Sequence, residues 1–248
     1  MKTDPSTDTD LLTARAKPEG FAVMHQNWGK LLFMHWPIAP ELLRPLIPER
    51  LTIDTFKSMA WIAITPFTMW GIRPMLLPPV PGLSEAHELN VRTYVHLDHH
   101  PGVWFFSLDI NSVIAKTAAR NFYFLPYYHS NIDLEQKGDT IHYRLNRVDA
   151  DAPKAKFEAR WKIGEELSYS KPGSIEFFLT ERYCLYTEHR NHLYRARIYH
   201  EPWPLQKAEL LSMKSSMIES HGLPTPTEEP LLHYAKEVSV DIWPIEEL

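Results

Sequence analysis

The stretch His87-Glu88-Leu89-Asn90-Val91-Arg92-Thr93-Tyr94-Val95 sets a carboxylate among apolar neighbours, and Leu89, Val91 and Tyr94 imply that Glu88 is buried. A buried carboxylate has to be paired or protonated, because an isolated charge in a low-dielectric interior is costly. Both states suit chemistry: a paired carboxylate orients a substrate, and a protonated one serves as a general acid. A second stretch, Ala119-Arg120-Asn121-Phe122-Tyr123-Phe124-Leu125-Pro126-Tyr127-Tyr128, supplies a guanidinium and a phenol. The Tyr127 hydroxyl could donate to a carbonyl or carboxylate, or the ring could simply line a wall. Lys116 falls one helical turn before Arg120, so the two share a face. Buried, that amine would be a nucleophile; solvated, it is one of two like charges on a wet helix face. His96, His99 and His100 lack the His-x3-His spacing of a helical metal site, and residues 98–102 read as a turn, so no metal is expected. No Gly-x-Gly-x-x-Gly, Walker or Gly-x-Ser-x-Gly pattern is present, and no cofactor is expected.

Short strands have to position these groups. Leu31 to Trp36 reads as a strand stopped by Pro37, residues 40–44 as a short helix opened by Pro40, and Trp61 to Thr65 as the next strand. Residues 74–82, with Pro74, Pro78, Pro79 and Pro81, predict a stiff extended connection. From Ala155 to Ile163 every odd-numbered residue is apolar and every even one charged, which is a strand with one wet face. Ile141, Tyr143 and Leu145 mark a similar strand, Val238, Val240 and Ile242 a late one, and Gly138-Asp139 a hairpin turn. The Glu181-Arg182-Tyr183 run is expected to alternate across a strand. A helix is predicted from about Ser112 to Phe122 with Asn111 as its N-cap, and a second over residues 205–220. Many short strands, 21 prolines and no βαβ rhythm point to a mainly β, antiparallel barrel or sandwich with few helices.

Residues 1–20, rich in Asp, Thr and Pro, are expected to form a disordered leader before a single domain over residues 21–248. A net charge of −5 with mixed signs offers no basic surface for nucleic acid. Cys184 is the only cysteine, so no intrachain disulfide can form. No apolar run is long enough to span a bilayer, and a cytoplasmic protein without membrane contact is the expectation.

Phe33-Met34-His35-Trp36-Pro37, Glu88 to Val95, Pro101 to Asp109, Ala119-Arg120 to Leu125-Pro126-Tyr127, Glu176 to Tyr183 and Pro202 to Gln206 together resemble the YqjF-like bacterial family of unknown function. The resemblance covers roughly residues 25–245. That family is grouped with the acetoacetate decarboxylase-like β-barrels, which implies an antiparallel barrel with a central cavity. In those decarboxylases a lysine pair follows an arginine and a proline, and one lysine forms a Schiff base with the keto acid. Carried onto this chain, the arginine falls on Arg120, the proline on Pro126, the lysine pair on Tyr127 and Tyr128, and the pocket glutamate on Glu88. A tyrosine cannot form an imine, so decarboxylation from that position is excluded.

The resemblance therefore implies a pocket for a small anionic or carbonyl-bearing organic molecule. Glu88, Arg120 and Tyr127 would bind the ligand, with Trp61 and Phe105 as apolar walls and Glu88 paired with Arg120. Two functions stay open: a lysine-independent enzyme (lyase, hydratase or isomerase), or a non-catalytic ligand-binding or interaction protein. A homo-oligomer is compatible with such a barrel, and no segment specifies one.

Overall fold

The computed structural model describes residues 4–76, 78 and 85–248. Most of the predicted connection over residues 74–82 lies outside these; Pro74 itself closes a strand. The strands, in chain order, begin with β1 (Met24–Ile38), β2 (Thr52–Ile53), β3 (Ala60–Pro74), β4 (Glu85–Leu97) and β5 (His100–Ile110). They continue with β6 (Tyr127–Lys137), β7 (Thr140–Arg147), β8 (Lys156–Glu166), β9 (Cys184–His189) and β10 (His192–Tyr199). The last are β11 (Leu205–Ser215), β12 (Leu231–Ile242) and β13 (Glu246–Glu247). Four helices punctuate them: α1 (Asp8–Ala14), α2 (Pro40–Leu43), α3 (Val113–Tyr123) and α4 (Ile175–Thr180).

Hydrogen bonding joins the strands into one thirteen-stranded sheet in the order β13-β10-β9-β5-β6-β7-β8-β11-β12-β1-β3-β4-β2. Two further pairings, β4 with β5 and β10 with β12, make the ladder return on itself. One circuit runs β5-β6-β7-β8-β11-β12-β1-β3-β4, and a shorter one passes through β9 and β10 instead. Such circuits leave few strand edges open. Most pairs are antiparallel, as the patterning implies, but β5 runs parallel to both β6 and β9. The α3 crossover between β5 and β6 causes the first exception, since a helical connection brings the chain back in the same direction.

The alternating strands read from sequence are present. Phe157, Ala159 and Trp161 of β8 and Ile141, Tyr143 and Leu145 of β7 are buried, while their charged neighbours stay wet. The β6–β7 hairpin turns at Gly138-Asp139, where φ is +61° at Gly138 and a glycine adopts that conformation without strain.

Other expectations need correction. Residues 205–215 form a strand, not a helix: β11 pairs with β8 along most of its length, and sheet pairing overrides the helix-forming Lys, Glu, Leu and Ala residues. The N-cap of α3 is Ser112, whose side chain accepts from Ala115 N–H; Asn111 instead ties its side chain to the His87 N–H. Strand β1 passes through Pro37 to Ile38. Residues 181–183 lie between α4 and β9 rather than in a strand, although Arg182 still departs from its neighbours: it donates to Asp54, while the Tyr183 hydroxyl donates to Glu181.

The leader is not structureless over its described part. Thr7 caps α1 in a capping box with Asp10, Leu11 is 1% exposed, and Ser6 donates twice to the buried Asp54. Arg15 then pairs with Glu181 at 2.9 Å. A short polar segment orders here because the body offers it buried carboxylates and one apolar socket.

Candidate functional site

Strand β4 carries the site. On one face it presents Glu88, Asn90, Arg92 and Tyr94, while Leu89, Val91 and Val95 on the other face join a large apolar cluster with Leu32, Met34, Trp36, Tyr143 and Trp161. Glu88 is 2% exposed. Its Oε2 accepts from the Tyr127 hydroxyl at 2.7 Å, which joins β4 to the start of β6. Tyr127 is placed by the α3 terminus: Phe124 takes a left-handed conformation (φ 54°) that ends the helix, and Pro126 precedes the new strand.

Burial pushes the Glu88 carboxyl up to about 7, with the Asp109 charge adding to the rise; hydrogen bonds from Tyr127 and Asn90 and the Arg92 charge oppose it. Burial and the adjacent Glu88 hold Tyr127 well above the ordinary phenol range, so this phenol stays protonated. A carboxyl balanced near neutrality against a permanent hydroxyl donor can take up or release a proton without a metal.

Arg120 is not the partner of Glu88. No residue of α3 is buried, Arg120 is exposed, and its charge acts on Asp149. Lys116, on the same helix, binds Asp149 at 3.1 Å, so its amine is held in an ion pair. Tyr128 diverges from Tyr127: its ring lies under the Arg147 guanidinium at 4.5 Å. Arg147 makes a buried two-point pair with Asp109 (2.7 and 2.6 Å), which Ser130 and Ser107 complete. Ser107 also meets His221 Nε2 at 3.1 Å.

Trp61 and Phe105 are half-buried and pack with Tyr94, Val103, Phe178 and Leu179, farther along the same β4 face than Glu88. The register sets Phe105 opposite Arg92, whereas Ile110 lies opposite Glu88. Sequence reasoning passed over Arg92 and His35 as a pair. The signal was the strand period: a residue four positions after Glu88 on a strand shares its face. His35 Nε2 lies 2.6 Å from the Tyr94 hydroxyl, and burial, with the charge of Arg92 next, holds His35 well below the ordinary imidazole range. Recesses at Asn27, Trp70 and Ser239 and among β6, β7, β8 and β11 at Ile132, Leu145 and Phe157 include none of these groups.

The model of the DUF2071 family, described as an uncharacterized conserved protein, matches residues 25–239. The chain belongs to this family. A relative, the uncharacterized protein YqjF of Bacillus subtilis (strain 168), is 40% identical over 228 residues, covering 92% of this chain and 93% of that one. Among solved structures, the enduracididine biosynthesis enzyme MppR complexed with pyruvate superposes with a TM-score of 0.61 at 9% identity, over 94% of this chain and 93% of that one. Acetoacetate decarboxylase from Legionella pneumophila gives 0.58 at 10% identity, over 100% and 98%. These likenesses place the DUF2071 fold among acetoacetate decarboxylase-like structures, and at such identities they speak for the fold alone. No helix among the described residues is long and apolar enough to cross a membrane.

Proposed function

We propose that this DUF2071 protein binds a small carbonyl-bearing organic acid beside Glu88 and Tyr127 and moves a proton on it as a lysine-independent enzyme. The observation that carries this reading is the Glu88 carboxyl, buried, pushed up to about 7 and hydrogen-bonded at 2.7 Å to a phenol that stays protonated. In its ionised form Glu88 accepts a proton from the carbon next to the carbonyl, and in its acid form it returns one. Tyr127 positions the carboxylate and stabilises its charge. Schiff-base chemistry is left without a nucleophile here, because tyrosines occupy the lysine positions and Lys116 is paired with Asp149. The neighbour described as bound to pyruvate holds a compound of the class proposed. Arg120, exposed on α3, has no part in this reading.

The test is hydrogen–deuterium exchange at the methyl group of pyruvate and longer 2-oxo acids in heavy water, followed by proton NMR. Wild type should exchange the protons of at least one of them, at a rate rising with pH through about 7. Glu88→Gln should lose about 10²–10⁴-fold, the usual worth of a positioned general base. Borohydride should trap no adduct. Exchange by Glu88→Gln equal to wild type, or none by wild type over the whole set, would overturn the proposal.

A further inference from the structure

The β4 face holds more polar groups than Glu88 and Tyr127 use. Around Arg92, several buried polar atoms have no hydrogen-bond partner among the described residues: His35 Nδ1, Trp61 Nε1, Thr65 Oγ1, Asn90 Oδ1, Arg92 Nε and His233 Nδ1. Residues paired directly across antiparallel strands share a face. Phe33 on β1 pairs with His233 on β12, His35 with Ala63 on β3, Ala63 with Arg92, and Thr65 with Asn90. The unpartnered atoms therefore gather on one face of four adjacent strands. Buried polar groups are nearly always satisfied, so such a gathering calls for something polar to fill it.

Three observations say what it takes. Arg92 makes no ion pair among the described residues; its guanidinium lies 5.4 Å from the Phe33 ring centre and against the Tyr94 hydroxyl. The histidines about this face, His35, His200 and His233, are held below the ordinary imidazole range, chiefly by burial. The charges that reach it are the Glu88 carboxyl, pushed up to about 7, and Arg182, which is already paired with Asp54 at 2.7 Å. From Glu88 to His96, only Arg92 among the strand residues keeps partial exposure, and Trp61 and Phe105, also half-buried, flank it. The face thus opens to solvent at Arg92. Ala63, the smallest side chain in the row, leaves His35 and Arg92 facing each other across a methyl group.

We infer that Arg92, with His35 and Asn90, forms a subsite for the carboxylate of a short-chain monocarboxylic acid, entered between Trp61 and Phe105. One fixed positive charge matches one negative charge, and the planar guanidinium matches a carboxylate in two-point geometry. The apolar residues Trp61, Phe105, Phe178 and Leu231, on the Tyr94 side of Arg92, line the way in. Asn90 stands between Arg92 and Glu88 on the same face, so a ligand anchored at Arg92 extends toward Glu88. The assignment rests on the proposed site for its catalytic end, and it names the acid group of the ligand.

Isothermal titration with butyrate and with butyramide, its uncharged counterpart, tests the subsite. Wild type should bind butyrate at least about tenfold more tightly than butyramide, the loss expected when a charge-assisted hydrogen bond is removed. Arg92→Gln should abolish that preference. Ala63→Val, which alters no charge but fills the space between His35 and Arg92, should weaken butyrate by a similar factor and guards against misfolding of the arginine variant. Equal affinity of wild type for the acid and the amide, or no butyrate binding, overturns the subsite. Wild type that exchanges pyruvate protons yet fails this test removes the Arg92 assignment alone. Wild type that binds butyrate through Arg92 yet exchanges no protons removes the proton-transfer reading and leaves the subsite standing.

Discussion

Glu88 has a cost that can be measured. The folded protein holds its proton to about pH 7, whereas the unfolded chain releases it near the ordinary value of 4.5. Wild type is therefore favoured by this group below pH 4.5 and loses stability as pH rises from there through 7. The full difference is roughly 3 kcal/mol, taking about 1.4 kcal/mol for each unit. Glu88→Gln keeps an acceptor for Tyr127 and has no charge to bury. It should match wild type in denaturant unfolding at pH 4 and exceed it by a few kcal/mol at pH 8. A stability gap independent of pH would show that Glu88 ionises freely in the folded state. At this scale the sequence was only partly legible. The burial of Glu88 followed from its apolar neighbours, and its nearness to Tyr127 from the family resemblance. The Arg120 pairing failed because nothing in the helix sequence tells which side of α3 faces the sheet, and in fact none of its residues is buried. Arg147, which neutralises Asp109, was hidden because that pair joins strands 38 residues apart.

Strand β4 illustrates what a period of two encodes. One face enters the apolar core and the other carries Glu88, Asn90, Arg92 and Tyr94, an arrangement written in the alternation. The wet-faced strands β7 and β8 were legible for the same reason. Strand β11 was not: its residues favour a helix in isolation, and the ladders to β8 and β12 make it a strand. Helix α1 was missed because its order depends on partners far along the chain, Asp54 and Glu181. Parallel contact of β5 with β9 is another long-range feature, and Gly102 makes it possible. A Cβ there would meet the Cys184 carbonyl oxygen and the Tyr186 ring, each at 2.8 Å. Gly102→Val should destabilise the fold by about 1–3 kcal/mol, the usual range for overpacking, and should raise amide exchange at Leu185 and Tyr186. Unchanged exchange in β9 would mean that the two strands separate without effect.

Across the molecule, pH sensitivity follows from neutral histidines buried in several parts of the sheet and its connections. His35, His96, His200 and His233, together with the half-buried His87 and His221, all hold their protons more weakly than free imidazole; His200 and His221 are lowered to about 4. In the unfolded chain each protonates near 6.5. Their contribution is present above pH 6.5 and is lost as pH falls through the folded values, up to about 1.4 kcal/mol per pH unit for each group. Glu88 acts in the opposite sense over part of that range, but as one group against several. The melting temperature should fall from pH 6.5 toward 4, with net proton uptake on unfolding measured by calorimetry in buffers of different ionisation enthalpy. A flat profile would place these imidazoles in contact with water.

The central claim is that Glu88 shares its proton with solvent near neutrality inside a DUF2071 fold, and carbon NMR of protein labelled at the glutamate carboxyl tests it most directly. One resonance, absent from Glu88→Gln, should titrate with a midpoint near pH 7. A spectrum in which every glutamate carboxyl finishes titrating near 4.5 would contradict it.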